Sequence, residues 1–548
     1  MTALAWFAIL GAPLLGWCVL RTGGTARVGK WCWLACLPAL LACWLPPAGL
    51  SLPALWPGAQ LGLGDGERYW LGFTALLWAF ASAYAAFDLR GDDRSLRFWT
   101  FWLIAMSGNF LLLVAQDVAT FYVGFSMMSL AGYGLIVHLG GPAPRQAGRI
   151  YLQLAILGEL LLFSGIMLRV HQGDGMMELS GLQDIAITPL ATILLVVGLG
   201  LKAGFWPLHV WLPLAHPAAP AGASAVLSGA MIKAGIFGLW QLLPGADPLL
   251  QQWAPVLLTL AFISMFFGVL MGVLQARPKT VLAYSSVSQM GYLLAILALA
   301  WLHPDGRAAM GVLLGLFALH HGLAKGALFM GAGLVSHYRL NRLHWLLMAL
   351  PALALAGLPM TSGSAVKLIF KESLEDSFGP LLVFTLSMAS TGTCLLMLRA
   401  FWLMRQSMPR SAACPAPGQW IPWGLLCSAA IILPWAVVGL RQHSLYGLTA
   451  AAWSLLWPAL LALGIGYLAH RSAVKTASLR QRLPAPARQL SLSIKRLTQP
   501  RLGPPPRTSR PRWRLAERAL NRFAAHEAVG MTGWLLLGML LVGWVMAL

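Results

Sequence analysis

Sixteen apolar runs of membrane-spanning length leave this chain little freedom in what it folds into. They lie at roughly 3–20, 31–50, 68–88, 98–116, 117–139, 149–170, 187–207, 220–243, 249–275, 280–302, 308–335, 343–371, 379–404, 420–440, 449–469 and 527–547. About twenty apolar residues cross the hydrocarbon core of a bilayer as an α-helix, and in lipid every backbone polar group has to be satisfied internally. The reading is an all-α polytopic membrane protein of about sixteen helices. Composition agrees: of 548 residues, 58% are hydrophobic and 10% charged, with a mean hydropathy of +0.72. Nearly every polar stretch before residue 470 is shorter than about twenty residues, the usual scale of connecting loops. The opening segment, MTALAWFAILGAPLLGWCVL, has no basic leader region and no convincing cleavage site, so it reads as a retained first helix.

The formal charge of +21 resembles a nucleic-acid signal only until it is located. Residues 471–522 carry fourteen Lys and Arg against the single acid Glu517. A polar, proline-bearing basic segment beside membrane helices is read as a cytoplasmic segment touching anionic lipid or a cytoplasmic protein, and nucleic acid is not an expected partner. The loops after the odd-numbered spans agree, with Arg21, Arg27 and Lys30; Arg90, Arg94 and Arg97; Arg145 and Arg149; Arg277 and Lys279; Arg339 and Arg342; and Arg405 and Arg410. By the positive-inside rule these loops face the cytoplasm of a bacterial inner membrane and both termini face outside. The seven cysteines lack the paired spacing of metal or iron–sulfur sites. No dinucleotide fingerprint or phosphate loop occurs. No cofactor, metal, redox centre or catalytic site is expected on this chain.

Two spans are interrupted. GLGLKAGFWPLHVWLP (198–213) breaks after Lys202, and the twelfth span contains LAGLPMTSGSAVK, with Pro359 and Gly363 before Lys367. Breaks of this kind free backbone groups and point to a transport site when they recur in two halves of a chain. Four lysines lie inside predicted spans: Lys202, Lys233, Lys325 and Lys367. An ammonium there is costly even by lenient scales and marks a function by default; flanking Gly and Ala favour close helix packing over lipid contact. Glu159 is the clearest acid deep in a span, and Lys202 in the next helix is its expected counter-ion. His321 and Lys325 share a helix face at i, i+4, and an imidazole can pass a proton near neutrality. Glu159, Lys202, Lys233, His321, Lys325 and Lys367 form a candidate hydrophilic axis, with His320, Ser126 and Ser228 as accessory candidates. His138, His209 and His216, near span ends, are expected to be structural.

These residues carry a resemblance. KAGFWPLHVWLPLAHPAAPAGASAVLSGAMIKAGIFG (202–238), KTVLAYSSVSQMGYLL (279–294), HHGLAKGALFMGAG (320–333) and GLPMTSGSAVKLIFKE (357–372) resemble, in order, the antiporter-like subunits shared by respiratory complex I, membrane-bound hydrogenases and Mrp cation/proton antiporters. The likeness runs over roughly residues 98–400. It implies fourteen core helices with two inverted five-helix repeats at 98–243 and 249–404, after three helices in 1–97. Two further helices at 420–469, the basic segment at 470–526 and a final anchor at 527–548 would follow. It also implies that Lys202 matches the family's pumping lysine, Lys233 the connecting lysine, His321 and Lys325 the relay and Lys367 the terminal Lys or Glu. Two features depart from the family: Ser126 falls where a glutamate usually partners the pumping lysine, leaving Glu159 as the candidate substitute, and the prolines at 484–511 exclude the long lateral helix of the largest complex I member. The function implied is a proton or cation/proton translocating subunit of a multisubunit complex, with other membrane subunits as partners and protons, or sodium, as cargo. The alternatives are a subunit energising inorganic-carbon uptake and a structural anchor with a vestigial path.

Overall fold

The computed structural model describes residues 3–46, 48–409, 413–438 and 452–482. They belong to two compact units, residues 1–462 and 463–548; the described part of the second, 463–482, is helical. The first unit opens with α1 (Ala3–Gly23), then the short turn α2 (Thr25–Val28), a 3-10 stretch (Gly29–Cys36) and α3 (Leu37–Ala42). The expected helix over 31–50 therefore stops early. Pro46 and Pro47 lack backbone donors, and the chain turns instead into an antiparallel ribbon of β1 (Ala48–Ser51) and β2 (Gln60–Leu63), with Ala48 opposite Leu63.

Long helices follow: α4 (Asp65–Asp88), α5 (Ser95–Val114), α6 (Val118–Ile136), α7 (Pro142–Gln172), the single turn α8 (Leu179–Leu182) and α9 (Pro189–Ala203). The expected span at 220–243 is present as one run, Ala221–Leu242, whose winding changes midway. After α10 (Leu212–Ala218), α11 (Ala221–Val226) runs into a π-wound turn, Leu227–Met231, and then α12 (Lys233–Leu242). The remaining helices are α13 (Pro248–Val273), α14 (Pro278–Leu302), α15 (Arg307–His337), α16 (Arg342–Ala356), α17 (Ser362–Phe378), α18 (Pro380–Ser407), α19 (Pro417–Val438) and α20 (Ala452–Arg482). Among the described residues, eleven helices are long and apolar enough to cross a membrane. Helix α20 carries helical winding into the basic segment, to Arg482; the rest of that segment and the expected anchor at 527–547 lie outside the described residues.

The helices sort by burial. The spanning windows of α11–α12, α14 and α15 are 100%, 94% and 94% buried, against 33% for α7 and 39% for α13. A helix apolar on every side and enclosed by protein forms the core, while one with an open apolar side faces lipid or another subunit. Three of the candidate lysines stand on or beside these central helices. Close approach keeps them together: a Cβ on Gly235 of α12 would collide with the Leu199 carbonyl of α9.

One face of the bundle is braced by buried polar anchors. Asp117 caps α6, accepting from Thr120 N at 2.9 Å, and also takes Gln60 N at 2.8 Å and Trp56 Nε1 at 3.2 Å from the ribbon. Asp247 caps α13 through Leu249 N at 2.8 Å and reaches Ile187 N at 3.0 Å. The Arg169 guanidinium gathers the carbonyl of Leu182, at the end of α8, and those of Ile185 and Ala186 in the loop that follows. The opposite face carries the basic loops, where His138 Nε2 meets Asp92 Oδ2 at 2.9 Å.

Candidate functional site

The first break is a half-helix ended by glycine. Helix α9 stops at Ala203, and Gly204 takes a left-handed conformation (φ 71°) with its N–H on the Gly200 carbonyl at 2.8 Å. Glycine enters that region without the steric cost a side chain carries. Lys202 sits in the last turn, where the negative end of the helix dipole favours a cation. Its buried ammonium donates to Ser129 Oγ and Tyr151 OH, both at 3.2 Å, and lies 5.5 Å from the Tyr151 ring centre. Tyr151 in turn donates to the Ser129 carbonyl at 2.6 Å. Trp211 Nε1 donates to the Leu201 carbonyl, freed by the break, at 2.7 Å.

Glu159 is buried on α7, beside this cluster. Its Oε1 has no hydrogen-bond partner, and neither does Ser126 Oγ. The expected Glu159–Lys202 ion pair is absent among the described residues: the two act on each other through space, beyond contact distance. A cavity of about 10 Å³, room for the centre of one water molecule, adjoins Lys202, lined by residues that include Phe125, Ser129, Tyr151 and Gly158. Glu159 thus acts on the lysine from a distance, while its direct hydrogen bonds come from hydroxyls.

The centre of the axis is a ladder. Lys233, the first residue of α12, donates to the Ser228 carbonyl of the π-wound turn. Ser228 Oγ meets Ser286 Oγ of α14 at 2.7 Å, and Ser286 Oγ donates to the Leu282 carbonyl at 3.2 Å. Lys325 of α15 donates to that same carbonyl at 2.7 Å and also to Ser285 Oγ. His321 lies fully buried in the field of Lys233 and Lys325, with neither ring nitrogen hydrogen-bonded.

The second break repeats the first device with the lysine on the other side. Helix α16 ends at Ala356, and Gly357 is left-handed (φ 81°). Lys367 of α17 reaches back across the gap to donate to the Leu355 carbonyl at 2.8 Å and the Ala356 carbonyl at 3.3 Å, 5.5 Å from the Tyr292 ring centre. A Cβ on Gly357 would lie 2.7 Å from Lys367 Cδ. His320 Nδ1 meets Ser362 Oγ, at the start of α17, at 2.9 Å.

Every candidate named from the sequence is therefore buried or borders a buried polar group of this axis. Ser129, Tyr151, Ser285 and Ser286 were not singled out, because hydroxyls are common in apolar helices and only tertiary contact makes the first three partners of a lysine and Ser286 the partner of Ser228. Lys371, one turn beyond Lys367 and bound to the Ser454 carbonyl at 2.9 Å, was also passed over. His216 lacks the hydrogen bonds expected of a structural histidine: it is fully buried and both ring nitrogens are unpartnered. Among the described residues, no three His, Cys, Asp or Glu side chains converge as a metal site. The chemistry available is proton movement. In the low-dielectric interior Glu159 acts on Lys202, and Lys325 on Lys233, so within each pair a proton gained by one alters the balance at the other.

Comparison with known proteins bears on the same region. Residues 115–395 match the family model described as NADH:quinone oxidoreductase/Mrp antiporter, TM, and all six principal candidates fall within that range. Hydrogenase-4 component B of Escherichia coli (strain K12) is 36% identical over 248 residues, 42% of this chain and 36% of that protein. NAD(P)H-quinone oxidoreductase chain 4 2 of Thermosynechococcus vestitus is 31% identical over 300 residues, 53% of this chain and 52% of that one. The chain thus matches about a third to a half of the length of these curated relatives. In fold it is similar to a chain of the Mrp complex from Dietzia sp. DQ12-45-1b, with a TM-score of 0.67 at 20% identity, over 82% of this chain and 97% of that chain. With more than half of its length matching the family model, the chain belongs to the NADH:quinone oxidoreductase/Mrp antiporter transmembrane family.

Proposed function

We propose that this multi-pass membrane protein is a proton or cation/proton translocating subunit of a multisubunit complex in a bacterial inner membrane, moving protons along the axis Glu159, Lys202, Lys233, His321, Lys325, Lys367. The observation that carries the reading is the ladder from Lys233 through Ser228 and Ser286 to Lys325. It seats two buried ammoniums on one row of polar oxygens, the Ser228 and Leu282 carbonyls with the Ser228 and Ser286 hydroxyls between them. Intramembrane charge is costly unless it is used, and hydroxyls can hand a proton on in either direction. Motion of a proton at one lysine changes the field at its neighbour, so sites can act in sequence without large backbone movement. Two inverted repeats, 98–243 and 249–404, would explain why a glycine-ended half-helix occurs twice. Other membrane subunits are the natural partners; the half-open faces of α7 and α13 suit such contacts. The basic face belongs to the cytoplasm by the positive-inside rule.

The test is proton flux in inverted vesicles carrying the whole complex. Replacing Lys233 by Ala, at equal assembly, is expected to lower flux by about tenfold or more, a barrier change near 1.4 kcal/mol per decade. Unchanged flux would remove the reading. A second reading, a structural anchor with a vestigial path, draws on one observation: Lys202 has no carboxylate in contact, and Ser126 stands where the family's glutamate is expected. The same measurement separates the two.

A further inference from the structure

One buried residue outside the axis lies in the field of both ends of the central ladder. His216, on α10, is fully enclosed, and neither ring nitrogen has a hydrogen-bond partner. Burying an imidazole without partners is costly. The ring stacks on Phe329 of α15, centroids 4.3 Å apart, and Ser224 Oγ holds the His216 carbonyl at 2.9 Å. The charged groups that face it come from three helices: Lys233 of α12, Lys325 of α15 and Lys279 of α14. Two of these are the ends of the central ladder.

Lys279 leads outward. It is the second residue of α14, and its ammonium donates at 2.9 Å to the carbonyl of Ala219, the residue that caps α10 three positions after His216. Beyond it stands Asp88, the last residue of α4, in the field of Lys279 and of His337 at the end of α15. Gln419, in the first turn of α19, donates to Asp88 Oδ1 at 3.3 Å. Asp88, Lys279, His337 and Gln419 thus mark four helix ends on the face that carries Arg90, Arg277 and Arg339. Asp88 and Lys279 are half-buried and His337 is exposed.

We propose that His216, with Asp88 and Lys279 beyond it, is the port through which protons pass between the Lys233–Lys325 ladder and the basic face of the membrane. The inference rests on the translocation reading. Toward the basic face, the step requires the Lys325 side chain to turn from its seat on Leu282 and Ser285 and bring its ammonium to an imidazole nitrogen, where the proton passes to leave a neutral amine and an imidazolium. The imidazolium returns to neutrality by releasing a proton toward the Asp88 carboxylate, which gives it up to bulk water; the inward path is the reverse. An imidazole suits this step because it binds a proton on one nitrogen and releases one from the other near neutrality. Lys279 acts as a positioning residue: its ammonium ties the port to the end of α10.

The experiment compares His216→Phe, Asp88→Asn, Asp88→Glu and Lys202→Ala in the intact complex. Flux is measured in vesicles while the pH on the basic face alone is varied. His216→Phe is expected to lower flux about tenfold, and Asp88→Asn several-fold with an altered pH profile on the basic face only. Asp88→Glu is expected to restore both the rate and the profile, which a merely structural role for the carboxylate would not require. If the Phe variant does not assemble, His216→Gln keeps the size and polarity of the side chain and gives the same readout. Wild-type flux and profile in the His216 and Asp88 variants, with Lys202→Ala inactive, overturns the port and leaves the translocation reading standing. Wild-type flux in Lys202→Ala overturns that reading and the port with it.

Discussion

The two breaks solve one backbone problem and pose two different chemical ones. At each, a half-helix ends on a left-handed glycine, Gly204 or Gly357, and a lysine ammonium sits at the carbonyl end of the half-helix. Lys202 belongs to the half-helix it terminates and is met by the hydroxyls of Ser129 and Tyr151, with Glu159 nearby. Lys367 belongs to the helix after the break and is met by the bare carbonyls of Leu355 and Ala356. Hydroxyls can accept from an amine or donate to it, whereas carbonyls only accept. The first site is built to hold its lysine before and after a proton leaves; the second is built to hold an N–H donor at the gap.

The comparison breaks most visibly at the phenols. Tyr151→Phe removes a hydroxyl that touches Lys202, and flux is expected to fall about tenfold, on the scale of one charge-assisted hydrogen bond of about 1.5–3 kcal/mol. Tyr292 presents only its ring to Lys367, its hydroxyl lying 3.3 Å from Ser390 Oγ. Tyr292→Phe is therefore expected to change flux less than about twofold, the size of a weak neutral hydrogen bond. Equal losses in the two variants would show that the hydroxyl is not what distinguishes the sites.

A smaller effect is expected at the glycines. Alanine at either left-handed position costs about 1–2 kcal/mol of stability, read as a lower melting temperature of the purified complex. At Gly357 the added methyl also presses on the Lys367 side chain, while at Gly204 it meets a Leu212 methyl at 2.7 Å. Flux at equal assembly should fall further for Gly357→Ala than for Gly204→Ala. The reverse order would mean that Lys367 does not depend on its present seat.

These contrasts also show what could be read from one dimension. Apolar length gave most of the helices, because a span announces itself by local composition, and the two breaks were visible through their glycines and prolines. The lysines stood out because a charge in an apolar run is too costly to persist without a use. What was not legible depends on which helices meet. Ser129 and Tyr151 come to Lys202 from α6 and α7, and Ser285 and Ser286 serve the ladder from α14; none is distinguishable in sequence from any other membrane hydroxyl. Glu159 was recognised, but its separation from Lys202 was not, since helix rotation decides it. The ribbon at 48–63 was missed because an apolar stretch interrupted by Pro46 and Pro47 reads as helix until it pairs.

The smallest expected effect lies away from both breaks. Burial holds the His138 imidazole below its usual range although Asp92 pulls the other way. A depressed imidazole contributes stability above its unfolded value of about 6.5, and that contribution is lost as pH falls below it. Wild type should therefore lose more melting temperature between pH 7 and pH 5 than His138→Gln. An identical slope in both proteins would show that this contact is not coupled to folding, and flux at pH 7 should not distinguish them.

The most direct test of the account is proton flux in inverted vesicles carrying the natural complex, comparing wild type with Glu159→Gln and Lys202→Ala at equal assembly. Loss of flux in both variants is the predicted result, and it would make Lys202 a translocating residue and Glu159 the charge that works on it across the site. Wild-type flux in both would contradict the account and leave the chain as an anchor.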